Sequence, residues 1–193
     1  MLVLVVGPSG AGKDTLLNAA RQALADDTRY RFVRRVITRP AEAGGEDHEP
    51  VSDAEFATRA LALSWEAHGL RYGIPADVAD DVARGVVVVA NVSRSVIAEA
   101  ATVFPVRVIE VTAPAEVLAA RLAARGRETA ADVAARLARR VALPEGIELA
   151  TVLNDASPEI GARRFLTHLT RILEETMQPS DVGERRGAPD ERA

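Results

Sequence analysis

Cysteine is absent, which excludes disulfides, cysteine-ligated zinc and thiol catalysis. Long apolar runs are absent too. No stretch approaches the roughly 20 residues of a membrane span, and the apolar run Leu2 to Val6 is too short for a signal peptide, so a soluble cytoplasmic protein is expected. There is no excess of basic charge: 24 Lys and Arg stand against 28 Asp and Glu, a formal net charge of −4, and nothing in that balance points to nucleic acid. Lysine is almost missing. Of the 24 cations 23 are arginine, and the one lysine is Lys13. What is present suffices for a core, since 193 residues at 48% hydrophobic content make one domain with room for a small inserted lobe.

The solitary lysine lies in Gly7-Pro8-Ser9-Gly10-Ala11-Gly12-Lys13-Asp14-Thr15, between the apolar run and a helix-like Leu16 to Ala20. Strand, glycine loop and helix in that order make an anion cradle. Backbone N–H groups curl round a phosphate, and the helix aims the positive end of its dipole at the same point. Gly7, Gly12 and Lys13 fit the phosphate-loop spacing G-x-x-x-x-G-K-[ST], with Lys13 reaching for the outer phosphates as a compact, flexible charge. Asp14 stands where Ser or Thr is expected to hold Mg²⁺. A carboxylate is also a hard oxygen ligand, so Asp14 is the candidate metal ligand, directly or through water, with the metal between it and the phosphate.

Farther along, Arg31 to Thr38 reads as one strand closed by Pro40, and Ala41 to Pro50 as a glycine-rich acidic loop. Ser52 with Glu55 forms a capping box that opens a short helix. Leu61 to Glu66 and Leu70 to Ile74 pair as a hairpin across Ala67-His68-Gly69, so about 31–75 is expected to build an inserted lobe. A helix over 76–84 stops at Gly85, and the runs Val86 to Ala90 and Val106 to Val111 read as parallel strands covered on both faces, with Ser95 to Val103 helical between them. Helices over Thr112 to Arg125 and Thr129 to about Ala142 follow, then a strand at Leu149 to Leu153 and a last helix from Ser157-Pro158 to Met177. Residues 178–193 are expected to be a disordered tail. The alternation implies an α/β fold over 1–177: a P-loop NTPase whose mainly parallel sheet is sandwiched by helices.

Phosphoryl transfer asks for cations that converge on the loop from elsewhere in the chain. Two clusters qualify: Arg34, Arg35 and Arg39 beside the acidic loop, and Arg121, Arg125, Arg127, Arg136, Arg139 and Arg140 around Gly126. The second cluster, over about 121–140, suits a helical lid that closes over nucleotide and excludes water. Solvated helix faces are the competing explanation for each arginine. His48, His68 and His168 lack metal-ligand spacing and read as surface or structural, and Trp65 as core. No general base stands out, which favours a phosphate acceptor, already ionised, over a hydroxyl.

Across nearly all of its ordered length the chain resembles the guanylate-kinase-like nucleoside monophosphate kinases, on GPSGAGKDTLL, Thr38-Arg39-Pro40, Trp65 through Tyr72-Gly73, RLAARGRE with Arg136-Leu137, and Asn154-Asp155. It departs from them at Glu42, in place of a second arginine, at Ser64, in place of the glutamate that reads guanine, and at Asn91, in place of an acidic residue. Those departures, with the stretches VITRPAEAGGEDHEPVSDAEF, ALSWEAHGLRYGI and NVSRS, make it similar to the ribose 1,5-bisphosphate phosphokinases of phosphonate breakdown. That resemblance implies transfer of the γ-phosphoryl group of ATP to the 1-phosphate of ribose 1,5-bisphosphate, with Mg²⁺, giving 5-phosphoribosyl 1-diphosphate.

The resemblance further implies that Gly7 to Thr15 hold the ATP phosphates, with Asn154 near the adenine. Lys13, Arg125 and Arg136 would stabilise the transferring charge, and Arg39 and Tyr72 would hold the acceptor phosphate. Arg35 and Arg94 are additional substrate-binding candidates. The partner implied is a small phosphorylated sugar, with neither nucleic acid nor membrane, and the protein a monomer or homodimer. The alternatives are a nucleoside monophosphate kinase with altered base choice and a catalytically silent guanylate-kinase-like module, although such modules usually lose the loop that is intact here.

Overall fold

The computed structural model describes residues 1–41, 46–123 and 145–178. In chain order its elements are β1 (Leu2–Val6), α1 (Lys13–Ala23), β2 (Tyr30–Phe32), β3 (Val36–Ile37), β4 (Glu49–Pro50), α2 (Asp53–Thr58), β5 (Leu61–Ala67), β6 (Leu70–Pro75), α3 (Val78–Ala83), β7 (Val87–Asn91), α4 (Ile97–Val103), β8 (Val106–Thr112), α5 (Ala115–Ala123), β9 (Leu149–Leu153) and α6 (Pro158–Met177).

Five apolar residues in a row make β1 because both of its faces are covered. Leu2, Leu4 and Val6 enter one core while Val3 and Val5 enter the other, as the two-residue period of a strand requires. β1 is the middle of a five-stranded sheet in the order β2-β7-β1-β8-β9, with every pairing parallel. Leu16 and Ala20 of α1 and Phe165 and Leu169 of α6 cover one face. Val78 of α3 and Ile97 and Ala100 of α4 cover the other, together with apolar residues of a second sheet. The expected mainly parallel α/β sandwich is therefore the observed fold. Among the described residues no helix is long and apolar enough to cross a membrane.

A second, four-stranded sheet, in the order β4-β3-β6-β5, lies within the stretch expected as an inserted lobe. Its hairpin turns at His68, with φ 54°, and Gly69, with φ 71°, as the Ala67-His68-Gly69 spacing predicts. The capping box is present as well: Ser52 Oγ accepts from Glu55 N at 3.2 Å, and Ser52 N donates to Glu55 Oε2 at 2.7 Å.

One expected strand is divided. Arg31 to Thr38 does not run as a unit: Tyr30–Phe32 pairs with β7 in the main sheet, whereas Val36–Ile37 pairs with β4 and β6 in the lobe. Two consecutive arginines, Arg34 and Arg35, cannot enter a sheet buried on both faces, so the chain crosses between sheets there. Tyr30–Phe32 accordingly belongs to the main sheet, not to the lobe expected over about 31–75. Most of the expected lid and of the expected tail falls at 124–144 and 179–193, outside the described residues.

Candidate active site

The carboxyl ends of β1, β7 and β8 open onto one cleft of about 630 Å³, within the range of small-molecule sites. Its floor is the glycine loop. Gly7 has φ 147° and Gly12 φ 89°, backbone that other residues rarely adopt. Each is also crowded. A methyl group on Gly7 would overlap the carbonyl oxygen of Val111 in β8, and one on Gly12 would overlap the Asn154 amide. The loop thus presses against the sheet with backbone alone; its Ala11 N–H is bonded to the Pro8 carbonyl at 3.3 Å, and its other N–H groups remain to meet an anion at the cleft.

Lys13, first residue of α1, folds back over the loop. Its Nζ donates to the carbonyls of Gly7 at 2.8 Å and Pro8 at 3.1 Å. Desolvation there pushes the ammonium down to about 8 from an ordinary 10.5, with the Asp14 carboxylate pulling the other way and Arg35 and Arg94 adding to the depression. A cation destabilised in this way is prepared for an anionic ligand.

Asn154, expected near the adenine, lies beneath the loop. It is 5% exposed, its Nδ2 donates to the Ala11 carbonyl at 2.8 Å, and its backbone N donates to Thr112 O at 2.7 Å. It therefore braces the loop from inside and does not line the cleft. Ala11 is likewise turned inward; the rest of Gly7 to Thr15 faces the opening.

The lobe brings the acceptor candidates to the opposite wall. Trp65 of β5 and Tyr72 of β6 face each other across the hairpin and stack, with ring centroids 5.5 Å apart and planes 7° from parallel. Trp65 is buried, as its reading as core requires, yet it also lines the cleft. The Arg35 guanidinium lies 5.0 Å from the Tyr72 ring and 5.8 Å from that of Trp65, and forks onto the Glu46 carboxylate, with Nε 3.0 Å from Oε2. Arg39 follows Thr38, which is pinned to β6 twice: its N donates to Arg71 O at 3.1 Å, and its Oγ1 accepts from Arg71 N at 2.9 Å. Arg39 Nε is buried and has no hydrogen-bond partner among the described residues, a donor suited to an anion.

His48 holds Arg39 at both ends. Its Nε2 is 3.0 Å from the Arg39 carbonyl and its Nδ1 3.3 Å from Arg39 Nη2, and Nδ1 is also 3.0 Å from the Glu46 carbonyl. A neutral ring donates from one nitrogen: with the proton on Nε2, His48 donates to the Arg39 carbonyl and accepts from its guanidinium, and with the proton on Nδ1 it donates to the Glu46 carbonyl. Of the two readings given for His48, surface or structural, its burial at 6% exposure fits the second.

On the third side, Arg94 forms an ion pair with Glu110, whose backbone is level with Val6 at the end of β1. Asn91, 8% exposed at the end of β7, donates from Nδ2 to Asp14 Oδ1 at 3.1 Å. The cleft therefore joins Lys13, Asp14, Arg35, Arg39, Tyr72 and Arg94. Arg125 and Arg136 lie outside the described residues. Glu46, His48 and Glu110 were not legible as site residues. An acid ending an apolar strand, as Glu110 does in Val106-Arg107-Val108-Ile109-Glu110-Val111, was the one available signal.

The residues present fit a nucleoside triphosphate and its Mg²⁺. The loop is a backbone cradle that a Cβ would fill, and Asp14 offers a hard oxygen at its rim. Among the described residues no three His, Cys, Asp or Glu side chains converge to hold a metal by themselves. Mg²⁺ bound with phosphates and water needs only one or two carboxylates.

Fold and cleft together define a P-loop kinase. A family profile described as "AAA domain" matches residues 2–144. The chain is 56% identical over 170 residues to the ribose 1,5-bisphosphate phosphokinase PhnN of Acidiphilium cryptum, covering 88% of this chain and 92% of that one. It is 49% identical over 183 residues to the protein of the same name from Brucella melitensis, covering 91% and 94%. Among solved structures, a guanylate kinase from Anaplasma phagocytophilum aligns with a TM-score of 0.56 at 21% identity, over 92% of this chain and 86% of that one. A gluconokinase from Sinorhizobium meliloti aligns at 0.54 and 18%, over 90% and 93%. At those identities the two structures speak for the fold alone. The chain belongs to the ribose 1,5-bisphosphate phosphokinase family.

Proposed function

We propose that the protein transfers the γ-phosphoryl group of ATP to the 1-phosphate of ribose 1,5-bisphosphate, forming 5-phosphoribosyl 1-diphosphate. The observation that carries this reading is that one cleft holds a phosphate cradle on one wall and an arginine-bearing lobe on the other, in a chain whose relatives bear that activity in their names. Ser64, where a guanine-reading glutamate would stand, is exposed and does not line the cleft.

In this reading the loop N–H groups and Lys13 hold the β- and γ-phosphoryl groups. Arg39 and Tyr72, with Arg35 and Arg94, bring the acceptor's phosphates into line with them. No proton need be removed from an ionised acceptor. In keeping with that, among the described residues both glutamates that line the cleft are tied to guanidinium groups, Glu46 to Arg35 and Glu110 to Arg94. Mg²⁺, when bound, would offset the charge that develops on the phosphoryl groups, and Asp14 is the residue here that would hold it. Arg125 and Arg136 are assigned to the transferring charge by resemblance.

Incubating the purified protein with Mg-ATP and ribose 1,5-bisphosphate is expected to produce a diphosphate pair in the ³¹P spectrum. ADP release with GMP, AMP, UMP or dTMP, and none with the bisphosphate, would overturn the assignment. His48→Ala is expected to raise the KM for the acceptor about tenfold and to leave kcat within about threefold. It removes one to two hydrogen bonds that hold Arg39, each of about 1 kcal/mol. Unchanged KM would show that Arg39 needs no such brace.

A further inference from the structure

Two of the chain's departures from the usual kinase pattern touch each other. Asp14 occupies the loop position where Ser or Thr is expected, Asn91 the strand-end position where an acidic residue is expected, and the Asn91 amide donates to the Asp14 carboxylate at 3.1 Å across 77 positions of sequence. In P-loop enzymes of the usual kind the metal is held by the loop hydroxyl and a strand-end carboxylate. Here the pair has the same total charge with its members exchanged. The carboxylate has moved from the sheet to the first turn of α1, where the helix dipole favours it, and an uncharged amide has taken its place on β7.

The geometry shows why the two changes belong together. The register places Asn91 beside Val5 on β1, one strand from the loop, and its side chain is buried while Asp14 stands at the rim of the cleft. An acid kept at 91 would set a second carboxylate against Asp14, with nothing between them to share. Asparagine instead supplies an N–H to Oδ1, and Oδ2 accepts no other hydrogen bond among the described residues. Serine or threonine at 14 with asparagine at 91 would leave the site with no carboxylate from either position.

Resting on the ATP-kinase reading, we propose that Asp14 and Asn91 act as one unit, in which Asn91 is the positioning residue that aims the Asp14 carboxylate at the metal of Mg-ATP. Partners that orient a metal ligand typically carry about 10- to 100-fold in metal affinity. Coupled positions also betray themselves by non-additivity.

The test is a cycle of four proteins: wild type, Asp14→Thr, Asn91→Asp and the double variant. It is read by calorimetric titration with ATP, once with Mg²⁺ varied and once in EDTA, with no acceptor present. Each single variant is expected to raise the Mg²⁺ concentration for half-maximal tightening of ATP by about 10-fold or more, while affinity in EDTA moves less than about 3-fold. The double variant, which restores the usual pair, is expected to return to within about 3-fold of wild type. Asn91→Ala removes the donor without adding charge and serves if Asn91→Asp does not fold. It should shift the Mg²⁺ requirement in the same direction, with the melting temperature of the metal-free protein as a check on folding. Additive losses in the double variant, or an unmoved Mg²⁺ requirement in Asn91→Ala, would overturn the coupling. Because no acceptor is used, a wrong acceptor assignment leaves these readings intact, whereas a chain that binds no ATP would be seen at once in the wild type.

Discussion

Lys13→Met abolishes phosphoryl transfer, lowering kcat by about 10³-fold or more, the loss that follows removal of a charge aimed at a transferring phosphoryl group. It is the only lysine of the chain, and two of the cleft's arginines are engaged with carboxylates, Arg35 with Glu46 and Arg94 with Glu110. The same variant separates binding from folding. In the unliganded protein Lys13 releases its proton near 8, whereas in the unfolded chain it holds it to 10.5. Below 8 both states are protonated, and burial of the cation costs stability in full. Between 8 and 10.5 the unfolded chain carries the extra proton, so native stability rises with pH and the cost disappears. At ~1.4 kcal/mol per pH unit that is on the order of 3 kcal/mol, gained by wild type and not by Lys13→Met. Chemical denaturation of both proteins at intervals across that window is the measurement. Curves that stay parallel would mean that the ammonium is solvated in the unliganded loop.

Gly7→Ala is the second large effect, and it begins in the sheet. The methyl group meets the backbone carbonyl of Val111, an atom fixed by the pairing of β8 with β1 and β9, and the residue must also hold φ 147°. Strain and overpacking of this kind cost about 2–5 kcal/mol together, or roughly 5–15 °C in melting temperature for a domain of this size. If the loop relieves the overlap by moving off the strand, its N–H groups lose their convergence, and ATP affinity falls about 100-fold or more. Gly69→Ala is the internal control, with φ 71° but nothing within 4 Å of the new methyl group. It should cost about 1 kcal/mol and leave ATP binding unchanged. Equal losses at the two glycines would mean that backbone conformation alone, and not contact with β8, sets the requirement at position 7.

What could be read from the chain by itself is what depends on neighbours in sequence. The loop spacing, the runs that became β1, β7 and β8, the stop at Gly85, the capping box at Ser52 and the turn at His68-Gly69 are local patterns, and each appears where the pattern lies. What stayed hidden requires two distant segments to meet. Asp14 and Asn91 each depart from the usual pattern in sequence, but only the register of β7 on β1 joins them. Resemblance puts Asn154 near the adenine; in the fold its side chain turns inward to the Ala11 carbonyl, and Gly161 of α6 gives it room, since a methyl group there would overlap its amide. Arg31 to Thr38 reads as one strand by its apolar residues, and the pair Arg34-Arg35 gains its meaning as the crossing between sheets only once the main sheet is known to be covered on both faces. The glutamates of the cleft were invisible for the same reason, since charge along a sequence does not say which guanidinium it will find.

The lone ammonium folded over the carbonyls of Gly7 and Pro8 has a practical corollary. In a chain with a single lysine, an acylating or aldehyde reagent has one side-chain address. With the proton already loosened near neutrality, that address is more nucleophilic than a surface lysine would be. Covalent tagging at Lys13, distinguished from the Met1 amine by peptide mapping and protected by nucleotide, would turn occupancy of the phosphate cradle into something weighed directly by mass spectrometry.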